Sequence, residues 1–267
     1  MENYIQRGTV ANVLALHYID SENLDGEKWF KFVEKWILNH GLTPTKMSGK
    51  GSKSITYSRG KKALGKDDFL WFKDRSVSIL ALPPDKRVST EIFDFIMSSD
   101  ISVENSFKRS ECLFCWDDKI LPWDDSYIKK FLKDVLHFLK AGYGYAFQRE
   151  FDLGPSFYPA GVISGLDYGH QERKEITNWD NLGILEHSLY LPHMIRDVYP
   201  LNFLSPQHLK APIGDQTLEQ WILEDPARGS LEELIAHFWC WSVDPQNIES
   251  VKEALKPHNL LIAHMDF

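Results

Sequence analysis

The chain has 267 residues, of which 43% are hydrophobic and 25% charged, and its net charge is -8. That length buries a sizeable core, as one large domain or two small ones. Three cysteines exclude a disulfide framework, and neither a signal peptide nor an apolar run of membrane-spanning length is visible, so the expected location is cytoplasmic.

Thr9 to Ile19 is β-branched and apolar and predicts a buried strand. Glu27 to His40 follows with Trp29, Phe32, Val33, Trp36 and Ile37 at helical spacing, and Gly41 stops it. The stretch from Thr43 to Lys66 holds Lys46, Lys50, Lys53, Arg59, Lys61, Lys62 and Lys66 and no acid. Its Gly/Ser/Lys composition reads as a solvated loop, broken by a short strand over 54–58. Setting these seven aside from 30 basic residues leaves 23 against 38 acidic ones. A body of that charge repels nucleic acid and attracts basic surfaces. Strands are predicted at Phe69 to Phe72 and Ser76 to Leu82, and a helix at Ser89 to Met97.

The order then repeats. Glu111 to Trp116 reads as a strand and Ser126 to Ala141 as an amphipathic helix, with Ile128, Phe131, Leu132, Val135, Phe138 and Leu139 on one side. Tyr143 to Phe151 alternates like a strand, after a tight turn around Gly142 and Gly144, and Ser156 to Ser164 reads as a strand or an ordered loop. Further on, 187–198 predicts a helix ending at Tyr199-Pro200. Ser205-Pro206 starts a short one, Leu218 to Glu224 is short and apolar, and Leu231 to Val243 alternates. Pro245 to Leu255 is a last helix and Leu260 to Ala263 a last strand. The fold class is α+β. Residues 1–105 and 106–267 read as two related α/β halves packed as one unit, with mostly antiparallel sheets covered by amphipathic helices.

Little in the polar residues demands chemistry. Cys112 and Cys115 are spaced C-x-x-C, but on a strand their sulfurs point to opposite faces, which is wrong for one metal. His17 and Asp20 sit at a strand end with no nucleophile fixed nearby. Asp167, His170, Glu172 and Glu175 cluster around Gly165 and Gly169 in a spacing that matches no known ligand arrangement, and read as an acidic surface loop with Tyr168 as its aromatic. The string from Arg196 to Asn202 reads as an architectural corner. No phosphate-binding loop, nucleophile elbow or zinc-protease string is present, so no catalytic residue, metal ligand or cofactor is assigned. Trp116-Asp117-Asp118 and Trp123-Asp124-Asp125 stand out. Acids at the start of the following helix explain one cluster as a cap, and recognition of a basic partner explains both, with tryptophan anchors ringed by carboxylates.

Ile195 to Leu204 with His208-Leu209, then Gly229-Ser230-Leu231, Trp239 to Val243 and Val251 to Leu255, resemble a pattern in bacterial polymorphic-toxin immunity proteins, nearest to immunity protein family 52. The resemblance spans roughly residues 140 to 263. It implies a cytosolic, non-catalytic α+β protein that binds and neutralises a cognate toxin, often one delivered by a secretion system such as type VI, with no cofactor, nucleic acid or membrane involved. An acidic inhibitor suits a nuclease toxin, whose cleft is basic. The expected partner-binding residues are Trp116, Asp117, Asp118, Trp123, Asp124, Asp125, Asp167 and Tyr168. Two alternatives stay open: a small metal-dependent enzyme with its acidic site at Asp167 to Glu175, and a homodimeric structural or regulatory module.

Overall fold

A computed structural model of the chain describes residues 9–20, 24–49, 55–63, 76–82, 95–102, 110–163, 169–184 and 193–266. The elements run β1 (Val10–His17), α1 (Gly26–Asn39), β2 (Lys46–Gly49), β3 (Ile55–Thr56), α2 (Tyr57–Ala63), β4 (Ser76–Ala81), β5 (Met97–Ser102), β6 (Glu111–Asp117) and α3 (Asp125–Val135). They continue with β7 (Tyr143–Glu150), α4 (Phe157–Ala160), α5 (His170–Ile184), β8 (Leu201–Leu204), α6 (Pro206–Leu209), β9 (Pro212–Ile213) and β10 (Gln216–Thr217). Last come α7 (Leu218–Glu224), β11 (Ser230–Ile235), β12 (Phe238–Ser242) and α8 (Ile248–Leu255).

Ten strands form one sheet in the order β11-β12-β8-β7-β1-β6-β5-β4-β2-β3, while β9 and β10 pair apart from it. Every ladder in the large sheet is antiparallel. The α+β class is therefore observed. β1 lies between β6 and β7, placing Leu14 opposite both Phe114 and Ala146. The two sequence halves thus share one continuous sheet, with the first strand interleaved among strands of the second half.

Side chains alternate across a strand, and both faces of the central strands are covered. Val13 and Ala15 join Leu113, Cys115, Tyr145 and Phe147 in a core closed by α5, α6, α7 and α8. Leu14 and Leu16 join Cys112, Phe114 and Trp116 in a second core closed by α1 and α3. Burial on both faces explains the unbroken apolar runs of β1 and β6. It also puts the Cys112 and Cys115 sulfurs on opposite faces, in different cores, as expected from their spacing. Both are free and buried, and burial pushes their thiols well above the ordinary range, far from a reactive thiolate.

Several expectations are corrected. The described part of the basic stretch is ordered: Met47 and Tyr57 are buried, β2 pairs with β4, and α2 carries Arg59, Lys61 and Lys62. Two apolar anchors outweigh the loop-like composition there. Met97 opens β5 instead of closing a helix, and 89–94 lie outside the described residues, as do 69–72. α3 ends at Val135 because the chain must return to the sheet, where Lys140 bridges Asp20. Gly144 lies inside β7, and 157–160 form a helical turn closed by Gly161 at φ +76°. Residues 193–200 are not helical, since Ile195 and Arg196 exchange backbone hydrogen bonds with Leu260, Ile262 and Ala263. Those same bonds make 260–263 a bridge and a 3-10 turn instead of a strand. The alternating stretch at 231–243 is a hairpin that turns at His237, φ +67°.

Gly144 permits the closest strand approach in the sheet's centre. A Cβ there would sit 2.6 Å from Leu16 Cδ2 and 2.8 Å from the Ala15 carbonyl oxygen. Gly144→Ala is expected to cost about 1–3 kcal/mol through overpacking, read as a lower urea midpoint at unchanged slope.

Candidate interaction surface

The two Trp-Asp-Asp clusters part company in the fold. β6 carries Trp116 and Asp117 into the interior, where both are buried. Trp116 Nε1 donates to the Leu121 carbonyl at 3.0 Å, and the Asp117 carboxylate accepts from Lys119 N–H at 2.9 Å. Burial raises the Asp117 carboxyl above its ordinary value. Neither can meet a partner from this position, which corrects their assignment as surface residues. The cause is strand parity: Trp116 shares a face with Phe114 and packs against Trp36 of α1. Asp118 is half-buried and accepts from Asn12 Nδ2, Gln148 Nε2 and the Trp123 N–H at 2.9–3.1 Å, fastening the loop after β6 to the sheet. The second cluster is at the surface. Asp124 caps α3, accepting from the N–H groups of Ser126 and Tyr127 at 2.8 and 3.0 Å. Asp125 is exposed and accepts from Trp123 Nε1 at 2.6 Å, and Trp123 is half-buried. Asp167 and Tyr168 lie outside the described residues.

The remaining candidates have structural partners. His17 is fully buried, 3.3 Å from the Tyr145 hydroxyl and edge-on to Trp179, while Asp20 is exposed and faces Lys140. His170, Glu172 and Glu175 lie on α5, not in a loop. Glu172 pairs with Arg149 at 2.5 Å and Glu175 accepts from Gln171. Among the described residues no group of three or more His, Cys, Asp or Glu is placed to hold a metal ion.

The corner from Arg196 to Asn202 is the polar heart of one core. Arg196 is fully buried, donates from Nη1 to the Tyr145 hydroxyl at 2.9 Å and the Pro159 carbonyl at 3.2 Å, and lays its guanidinium 3.9 Å from the Tyr158 ring centre. A desolvated contact of this kind contributes about 2 kcal/mol. Asp197 accepts from Lys252 Nζ at 2.6 Å and faces His264 Nε2 at 3.3 Å. Burial pushes its carboxyl up, but hydrogen bonding from His264 and the charge of Lys252 outweigh burial and hold it below the ordinary value. Asn202 brackets Tyr199, donating to its carbonyl and accepting from its N–H.

An open trough of about 680 Å³ runs between α1 and α3. Phe131 and Trp36 form its floor and are buried; Phe32, Tyr127 and Phe138 form its walls and are half-exposed. The helices run antiparallel along it. Phe32 stacks on Phe131 and meets Phe138 at one end, and Trp36 Nε1 donates to the Tyr127 hydroxyl at the other. Lys35, Lys130 and Asp134 stand on the rim. Asp124 and Asp125 sit beyond the Tyr127 end, at the start of α3. The signal in the sequence was the width of the apolar faces. Phe32 belongs to the apolar stripe of α1 and Phe138 follows the end of α3, and both lie at the edge of what the sheet covers.

No protein-family model matches the chain, and no curated protein matches it. Among solved structures it is similar to the Pseudomonas aeruginosa T6SS protein PA0821. The TM-score is 0.54 and the identity 16%, over 94% of this chain and 73% of that one. At that identity the likeness is one of fold.

Asp197→Asn takes the charge partner from the half-buried Lys252 and is expected to cost about 2–3 kcal/mol. The carboxyl of Asp197 is held below its ordinary 3.8 in the fold. Its contribution is therefore complete above about pH 4 and fades as pH falls through the folded value. Denaturant titrations at pH 7 and pH 3 should show the gap between the parent protein and the variant narrowing in acid.

Proposed function

We propose that this chain is an immunity protein that binds and neutralises a T6SS effector by direct contact, making and breaking no covalent bond. The observation that carries the reading is the fold likeness to a T6SS protein along nearly the whole chain. The pattern shared with polymorphic-toxin immunity proteins supports it. So does the use of polar groups: Arg196 binds the Tyr145 hydroxyl and the Pro159 carbonyl, and Asp197 binds Lys252 and His264. Five aromatic side chains, Phe32, Trp36, Tyr127, Phe131 and Phe138, line an open trough, as a docking surface requires. No described helix is long and apolar enough to cross a membrane, which agrees with action in the cytoplasm.

The contact surface in this reading begins at the start of α3. Trp123 is the apolar anchor, and Asp124 and Asp125 form the acidic collar that draws in a basic patch of the effector. Asp124 also caps the helix, so Asp125 is the cleaner probe.

The test is co-expression with the protein encoded beside this one. A stable complex on gel filtration, and restored growth of cells poisoned by that protein, are expected. Growth arrest that persists beside well-folded immunity protein, with no complex, overturns the reading. Trp123→Ala combined with Asp125→Lys should weaken binding at least tenfold, about 1.4 kcal/mol, by calorimetry. Unchanged affinity would exclude this end of α3 from the contact.

A further inference from the structure

We infer that the trough between α1 and α3 takes one amphipathic helix of the effector, apolar on the side it buries and carrying carboxylates along its flanks. This rests on the effector-binding reading above and names the epitope that such binding selects.

The shape argues for a helix. The α1 lining recurs at positions 32, 35, 36 and 39, and the α3 lining at 127, 130, 131 and 134, which is the three-and-four spacing of one helix face. Positions 127 to 134 span about 10 Å at 1.5 Å per residue, or about two helical turns. A trough of that length with aromatic walls accepts side chains spaced three or four apart from an incoming helix.

The charge selects the flanks. Lys35 and Lys130 are exposed on the rim and have no ion pair among the described residues. Their neighbours are engaged: Lys31 with Glu27, Lys61 with Glu34, and Lys129 with Glu232. Asp134 is the one acid in the lining. A chain of net charge -8 therefore reverses its sign locally along an apolar trough. A basic helix would meet two unpaired ammonium groups there, and a carboxylate-bearing helix would neutralise them. The acidic collar at Asp124 and Asp125 lies at one end, so the surface has opposite polarities along its length and fixes the direction in which a helix can lie.

The test uses the effector that co-purifies with the full chain. Lys35→Glu with Lys130→Glu should slow association about tenfold at low salt and flatten or invert its salt dependence, while Lys35→Arg with Lys130→Arg should retain both. Both residues are exposed and unpaired, so circular dichroism should show an unaltered fold. A photo-cross-linking residue at position 130 should capture an effector peptide with apolar residues three or four apart and flanking Asp or Glu. Equal capture by the reversed variant, or a cross-link to a basic peptide, overturns the assignment and leaves the immunity reading intact. Failure of the parent chain to capture any effector removes both. A dimer seen by light scattering and dissolved by the same reversal would assign the trough to a second copy of this chain, and that too overturns the proposal.

Discussion

The structure depends on β1 being covered on both faces. A strand at the middle of a sheet, between β6 and β7, pairs all its backbone groups with neighbours and offers both rows of side chains to a core. Everything that follows has to supply one of those two cores. α1 and α3 close one side with Trp29, Trp36, Phe131 and Leu132, and the C-terminal half closes the other with Trp179, Trp221 and Leu255. The aromatic wealth of the chain serves that demand first. Large rings fill the wide space between a twisted sheet and its helices, and the edges of Phe32, Tyr127 and Phe138 reach the surface.

The same demand explains the placement of charge. The C-terminal side has to bury a long irregular segment, 193–200, whose backbone and side chains need internal partners. Arg196 donates from Nη1 to a tyrosine hydroxyl and a carbonyl and lies against aromatic rings, and Asp197 is met by Lys252 and His264. These contacts tie the segment to α8 and to the chain's end. The rim of the α1–α3 trough exposes Lys35 and Lys130, which have no ion pair among the described residues.

Much of this was legible in the sequence, and the failures have physical causes. α1 and α3 were readable because their apolar residues keep one period over three or four turns. β1, β6 and β7 were readable from length and β-branched or aromatic content. A cap among Asp124, Asp125 and Ser126 was readable from their position before an apolar stripe, and the structure gives it to Asp124. Trp116 and Trp123 carry the same local signature and have opposite fates. The difference lies in which strand neighbours Trp116, and pairing between distant strands leaves no mark within three residues. Arg196 to Asn202 was readable as a corner because Tyr199-Pro200 fixes an extended exit. Of the helix expected over 187–198, the described part, 193–198, is not helical because its backbone finds partners at Leu260, Ile262 and Ala263, far along the chain. The trough needed two helices at once. Each stripe was visible alone, but their antiparallel apposition, and the lysines left on its rim, exist only in the assembled layer.

The position of β1 also sets the order in which the molecule can be made. Val10 pairs with Glu150, and Leu14 with Phe114 and Ala146, so β1 waits for partners a hundred residues or more behind it. Closing loops of that length makes folding slow relative to helix-rich chains of the same size. Until β7 has emerged, β1 has an unpaired edge and two apolar faces, the form most open to mispairing. The apolar face of α1 therefore stays uncovered during synthesis until β6 and α3, about a hundred residues later, have followed it out.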